Sequence, residues 1–158
     1  MNIKSLSAAL LLASTFTLTA CGGAEEAPAE VDGIPGLEIS DARMVLNAVE
    51  GNPAAVYFEA KYDGDRPFSL RAADVEGTGS AMLHTYGEWN LEVQMMDAGM
   101  IPVKKGDTVS FKPGDLHIMA MEPSADLKPG GTAEVTLIIS GGDKHSFDAE
   151  ILAAGDAR

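Results

Sequence analysis

Cysteine is nearly absent from this chain, which has 158 residues and a single cysteine, Cys21. One cysteine cannot form a disulfide within the chain, so a disulfide framework is excluded. Long helical patterns are missing as well. The folded part contains no extended segment with apolar residues at helical spacing, although the pattern allows a single helical turn near residues 40–47. These absences favour a fold built from β-strands.

Basic residues are scarce too, with 11 Lys and Arg against 24 Asp and Glu and a formal net charge of −13 at pH 7. Nucleic acid is excluded as a partner, because neutralising phosphates needs clustered Lys and Arg. We interpret the acidic excess as a source of solubility, with attraction of cations or of a basic partner as the alternative. No ordered Ser, His and Asp, and no cluster of carboxylates with His, stands out in the sequence. An enzyme is therefore not expected.

Residues 1–20 are predicted to be a secretory signal peptide. Lys4 precedes an apolar run, residues 6–18, that is too short to span a bilayer with any margin, and small residues mark the cut site. The ending Leu-Thr-Ala-Cys resembles the bacterial lipobox, in which the cysteine becomes the first residue of the mature protein and is lipidated. Cys21 is the predicted lipidation site. Cleavage after Ala20 without lipidation, which would leave a free thiol, is the alternative.

Residues 21–36 are predicted to be the lipidated cysteine and a flexible acidic tether, because Gly, Ala, Glu and Pro dominate this segment and cannot bury a core. Several acyl chains on one residue would anchor the protein firmly to a membrane from the outside. The residue after the cysteine is Gly22, not the aspartate that tends to signal inner-membrane retention in Gram-negative lipoproteins. A periplasmic position at the outer membrane is favoured by that resemblance.

Residues 37–158 are predicted to fold as an all-β domain, an antiparallel sandwich or barrel. Residues 56–62, 108–112 and 133–140 alternate apolar and polar side chains, as strands with one buried face do. Turn-forming Gly, Pro, Asn and Asp separate these runs at short intervals. Short strands at this spacing are typical of a sandwich or a barrel.

Two histidines and two methionines form the pattern His-x10-Met-x21-His-x-Met, and the four residues are His84, Met95, His117 and Met119. Imidazole and thioether groups make a soft, neutral ligand set. Mg²⁺ and Ca²⁺ prefer oxygen ligands, whereas thioether sulfur selects a soft ion such as Cu(I). The pattern therefore predicts a Cu(I)-binding domain.

Strand periodicity supports these donors unequally. His117, Met119 and Met121 would share one strand face that points outward or towards a strand end, while the residues between them suit the core. His84 also lies in a strand-like segment and must come beside His117 through sheet pairing. Met95 continues the apolar phase of its neighbours, so it could belong to the core, and alternation alone does not decide between Met95 and Met96 as the donor.

The four-donor pattern resembles the signature of the periplasmic copper chaperones called PCuAC, and the resemblance covers about residues 37–152. Residues 111–119 also look like the family's Lys-Pro-Gly-Gly-Tyr-His-x-Met stretch, with Asp115 and Leu116 as departures, and residues 127–130 look like the loop that follows. The resemblance implies a cupredoxin-like β-sandwich whose Cu(I) ligands include Met95 rather than Met96. It also implies delivery of copper to the CuA centre of cytochrome c oxidase, often alongside a Sco-type thiol protein.

Three further expectations follow. A blue-copper electron-transfer site is excluded, because it needs a thiolate and Cys21 lies at the tether. His145 is expected to be a solvated residue beside a turn, and Met121 to pack or to guide the ion. The alternative to a copper chaperone is a non-metal envelope lipoprotein, a β-sandwich for adhesion or assembly.

Overall fold

The computed structural model describes residues 33–156, and within this range the secondary structure consists of β-strands without an α-helix. The all-β prediction is thus confirmed. The predicted signal peptide, the lipidation site Cys21 and the first part of the tether lie outside the described residues, and the division at residues 20 and 36 stays a prediction. In the described range we find no helix of the length and apolar character needed to cross a membrane. The ten strands are β1 (Leu37–Val45), β2 (Ala54–Tyr62), β3 (Phe68–Val75), β4 (Ser80–Trp89), β5 (Glu92–Asp97), β6 (Ile101–Val103), β7 (Thr108–Phe111), β8 (His117–Met121), β9 (Thr132–Ile139) and β10 (Lys144–Leu152).

The strands are hydrogen-bonded in the order β5-β4-β8-β2-β1-β10-β9-β3-β6, and β7 pairs with the second half of β2. This arrangement is a cupredoxin-like β-sandwich, as predicted. The pairing is antiparallel except between β1 and β10, which run parallel. Parallel neighbours need a long connection, and here the rest of the domain supplies it.

The core contains the apolar residues whose alternation with polar residues predicts the strands. The side chains of Val56, Phe58, Ala60 and Tyr62 are all buried, as are those of Ala133, Val135, Leu137 and Ile139 of β9. Phe58 stacks on Phe111 of the neighbouring strand with ring centroids 4.2 Å apart. Burial of such rings is the main source of stability in a chain whose folded part has no disulfide.

Strand β1 corrects the expectation of a helical turn near residues 40–47. It is extended, but a β-bulge interrupts its register between Ser40 and Arg43, where Asp41 has a φ of 54°. Because of the extra residue, odd-numbered residues such as Leu37 face inward before the bulge, and even-numbered residues such as Met44 face inward after it. This change of phase removes the strict alternation of a strand and explains the wrong prediction.

The turn between β4 and β5 is a two-residue hairpin loop with an unfavourable residue. Asn90 and Leu91 both have positive φ, 59° and 68°, as a type I′ turn requires. Asn tolerates this conformation, whereas Leu pays a steric cost of roughly 1–2 kcal/mol. The Leu91 side chain is 91% exposed, so it recovers little of this cost by packing.

We therefore expect Leu91→Gly to raise the free energy of unfolding by about 1 kcal/mol, because glycine removes the steric cost of positive φ. Urea denaturation would measure the change. Leu91→Ala is the matched control: it keeps the strained Cβ and should alter stability by less than about 0.5 kcal/mol. Equal stability of the glycine and alanine variants would contradict the argument.

Candidate metal centre

The pairing of β4 with β8 brings the two predicted histidine ligands side by side. His84 lies directly opposite His117, and the two rings are nearly perpendicular with centroids 5.9 Å apart. Met82 lies directly opposite Met119 in the same ladder. Residues opposite one another in an antiparallel pair share a face and have Cβ atoms about 5 Å apart. Four soft donors therefore lie on one face of this strand pair.

Strand β8 turns its donors away from the core. Ile118 and Ala120 are completely buried, which leaves His117, Met119 and Met121 on the opposite face. His117 is nevertheless only 3% exposed. Strand periodicity predicts an outward-pointing His117, and the structure shows that this residue is nevertheless covered.

Two tyrosines from flanking strands account for the burial of His117. The ring centroid of Tyr86 on β4 lies 5.5 Å from that of His117, and the centroid of Tyr57 on β2 lies 6.4 Å from it. These aromatic rings screen the imidazole from water. The two tyrosine rings therefore close one side of the candidate metal centre to solvent.

The register of β5 distinguishes Met95 from Met96. Met95 lies opposite Tyr86, on the face that carries His84, and Met96 lies opposite Thr85 on the other face. Met96 packs over Gly87, where an added Cβ would lie only 2.5 Å from the Met96 methyl carbon. All six residues of β5 are exposed, so the alternative of a core role for Met95 is wrong. The structure therefore places Met95, and not Met96, on the face of the histidines.

A hydrogen bond determines which ring nitrogen of His117 carries the proton. The Nδ1 atom of His117 is 2.8 Å from the carbonyl oxygen of Asp115. A carbonyl oxygen only accepts hydrogen bonds, so Nδ1 carries the proton and the lone pair of the neutral ring is on Nε2. Metal-binding histidines commonly donate their second ring nitrogen to a backbone carbonyl in this way. His117 is thereby oriented to bind a metal through Nε2.

The other imidazole has an unsatisfied nitrogen. The Nδ1 atom of His84 is buried and has no hydrogen-bond partner among residues 33–156. A buried polar atom without a partner costs about 1–3 kcal/mol. A metal ion bound to the histidine pair would satisfy a nitrogen of this kind, so the donor set fits a metal.

The Tyr57 phenol beside the histidines supplies no negative charge to the candidate site. Burial raises the pKa of Tyr57, the neighbouring Tyr86 raises it further, and the Arg43 guanidinium, 5.3 Å from the ring centroid, opposes the shift. The Tyr57 phenol therefore stays neutral at pH 7. The carboxylate of Asp97, opposite His84, accepts a hydrogen bond from the Gly99 backbone N–H.

No group of three or more His, Cys, Asp or Glu side chains within residues 33–156 could hold a metal ion. The soft donors beside the histidine pair in this part of the chain are thioethers. Thioethers select Cu(I) over the hard cations, which prefer carboxylate and carbonyl oxygen.

Residues 37–151 match the family model described as "Putative lipoprotein LpqE-like". The chain belongs to the LpqE-like family. No match was found among curated proteins.

Solved structures show that this LpqE-like chain has a PCuAC-like fold. A copper-bound PCuAC domain from PmoF2 matches with 20% identity and a TM-score of 0.61, covering 77% of this chain and 96% of that domain. An apo PCuAC domain from PmoF1 matches with 24% identity and a TM-score of 0.63, covering 76% and 96%. The solution structure of CuI-DR1885 from Deinococcus radiodurans matches with 22% identity and a TM-score of 0.59, covering 82% and 87%.

Sequence analysis does not identify all of the residues around the candidate metal centre of this LpqE-like chain. Tyr86 and Met82 lie two residues from His84 on the same strand, so strand periodicity could have placed both beside it. Tyr57 gives no such signal, because it reaches His117 through the non-local pairing of β2 with β8. His145 is not the simply solvated residue expected: it is partly buried, and its Nδ1 accepts a hydrogen bond from the Ile34 backbone N–H at 3.0 Å.

Proposed function

We propose that this LpqE-like protein binds Cu(I) through His84, Met95, His117 and Met119 and passes it to an extracytoplasmic acceptor. The observation that carries the proposal is the cross-strand histidine pair, in which a buried nitrogen of His84 lacks a partner. Three adjacent strands, β5, β4 and β8, contribute the four donors to one face. An imidazole pair, of which His117 is buried and oriented, with thioethers on both sides suits a soft monovalent ion.

The same donor set suits release as well as binding. Four neutral ligands leave the single positive charge of Cu(I) uncompensated, which limits the affinity of the site. Met95 lies on an exposed edge strand and its side chain is 40% exposed. An incoming ligand could replace it while the buried His117 still holds the ion. Transfer through an intermediate that shares ligands with the acceptor follows from this geometry.

The comparisons support a chaperone rather than an enzyme. Two of the similar structures are described as copper-bound or Cu(I) forms, and we extend copper binding to this chain on the strength of its donors. The acceptor that we propose is the CuA centre of cytochrome c oxidase or a Sco-type protein. We also propose a periplasmic protein anchored through lipidated Cys21, with the outer membrane favoured, and the lipoprotein name of the family supports this.

The proposal predicts that the mature protein binds one Cu(I) per chain in an anaerobic titration against a chromophoric chelator. Binding at this stoichiometry, with weak or no binding of Mg²⁺ and Ca²⁺, is expected from the soft donors. Absence of Cu(I) binding would overturn the proposal and would favour the non-metal adhesion or assembly module.

The two adjacent methionines of β5 provide a matched test of the ligand assignment. Met95→Leu removes a thioether from the histidine face and should lower Cu(I) affinity by about tenfold or more. Met96→Leu makes the same chemical change on the opposite face, at nearly equal exposure (41% against 40% for Met95), and should leave the affinity unchanged. Competition titrations would measure both. A larger loss from Met96→Leu would contradict the assignment.

A further inference from the structure

Met82 is a soft donor that the four-residue pattern does not use. The segments Met82-Leu83-His84 and His117-Ile118-Met119 pair in antiparallel register, so that methionine faces methionine and histidine faces histidine. Met121 follows two residues after Met119 on the same face of β8, opposite Ser80. Three thioethers therefore adjoin the histidine pair on one side.

We propose that Met82, Met119 and Met121 form a second Cu(I) position, made of thioethers alone, through which the ion enters and leaves the histidine site. Met119 belongs to both positions, so the chain holds one Cu(I) at a time. This inference rests on the proposed function, because it describes a second position for the same ion.

The strand geometry brings the three sulfur atoms within reach of one ion. Met82 and Met119 are directly opposite, with Cβ atoms about 5 Å apart. Met121 is displaced from Met119 by two residues, about 7 Å along the strand. Methionine has three rotatable side-chain bonds, so its sulfur adjusts to a ligand more easily than a branched side chain does.

The methionine end is also the open end of the centre. Tyr57 covers His117 from β2, whereas the β2 residue opposite Met119 is Ala55, whose side chain is too small to cover a thioether. Met82 itself is 41% exposed. An ion that approaches from this side therefore meets the thioethers before it meets the buried His117.

Packing does not explain Met82. Leu83, the next residue of β4, is buried in the core, whereas Met82 points to the other face and is 41% exposed. An apolar side chain at such a position gains less from burial than a core residue does. Affinity for a soft ion gives the thioether a role at this position.

Movement between the two positions requires ligand exchange only. Met119 keeps its bond to Cu(I) while the bonds to Met82 and Met121 form and the bonds to His84, His117 and Met95 break. The copper stays Cu(I), and no electron moves. No proton is released from the thioethers, because they have none to lose.

The first test measures how fast excess chelator removes Cu(I) from the mature protein. Met82→Leu should lower this rate by about tenfold, because the exit position loses a ligand, and should lower the equilibrium affinity much less than Met95→Leu does, because the four-donor site keeps all of its own. Met96→Leu is the matched control, since both methionines are 41% exposed but Met96 is on the opposite face. Equal removal rates for wild type and both variants would overturn the inference.

The second test isolates the thioether position. The double variant His84→Ala/His117→Ala should retain weak Cu(I) binding, and adding Met82→Leu should abolish it. The inference is overturned if residual binding is the same with and without Met82. The rate comparison stands by itself if the double variant does not fold. Failure of the wild-type protein to bind Cu(I) would overturn the proposed function, whereas unchanged Met82→Leu kinetics in a Cu(I)-binding protein would overturn only this inference.

Discussion

Replacing His117 with alanine should lower the affinity for Cu(I) by about 100-fold or more, because it removes a ligand and not merely a residue that supports one. His117 is the donor that the fold prepares most completely. Its ring is 3% exposed, lies against Tyr57, Tyr86 and His84, and is oriented by the carbonyl of Asp115. An anaerobic competition titration would measure the loss.

His145→Ala provides the control for the His117 experiment. His145 lies on β10, and its Nδ1 accepts a hydrogen bond from the backbone N–H of Ile34. Its replacement should leave Cu(I) affinity unchanged. Thermal unfolding of both variants would show that they are folded. An equal loss of affinity in the two variants, or an unchanged affinity in His117→Ala, would contradict the ligand assignment.

Phe111→Ala should lower the free energy of unfolding by about 3–5 kcal/mol, through lost transfer energy and the cavity left behind. Phe111 is 1% exposed, and its ring stacks on Phe58, which in turn contacts Phe147 of β10. The three rings join β7, β2 and β10, so no neighbouring side chain is free to fill the space. Urea denaturation would measure the effect.

Val49→Ala serves as the matched control for the core variant. Val49 is apolar like Phe111 but is 60% exposed and lies outside the strands. Its truncation should change the free energy of unfolding by less than about 0.5 kcal/mol. A loss of less than about 1 kcal/mol in Phe111→Ala would show that the aromatic stack is not central to stability.

The strands with one buried face could be predicted from sequence because burial imposes alternation. Val56 to Tyr62 follow this rule throughout, and Ala133 to Ile139 follow it except at Ile138, an apolar residue on the polar side. Strand β1 does not, since its bulge changes the inward phase between Leu37 and Met44. The position of the bulge depends on how β1 pairs with β2, and the local sequence pattern of β1 does not reveal this pairing.

The same reasoning explains what could be foreseen of the metal centre. His117 and Met119 are adjacent on one strand, so their shared face follows from periodicity alone. Alternation alone left the choice between Met95 and Met96 open, because all six residues of the edge strand β5 are exposed and its apolar phase does not mark a buried face. Resemblance to the copper chaperones favours Met95, and the pairing register of β5 with β4 supplies a physical reason. The cover of His117 by Tyr57 depends on the non-local pairing of β2 with β8 and could not be foreseen.

The parallel pairing of β1 with β10 also governs when the domain can fold. Strand β1 lies between β2 and β10, so the first strand of the domain is fully paired only after the last strand is available. Contacts between distant parts of a chain form late and slow folding. A chain that emerges with its N-terminus first, from a ribosome or across a membrane, therefore keeps one edge of β1 open until residues 150–152 have emerged. The topology delays completion of the sandwich until synthesis or translocation is nearly finished.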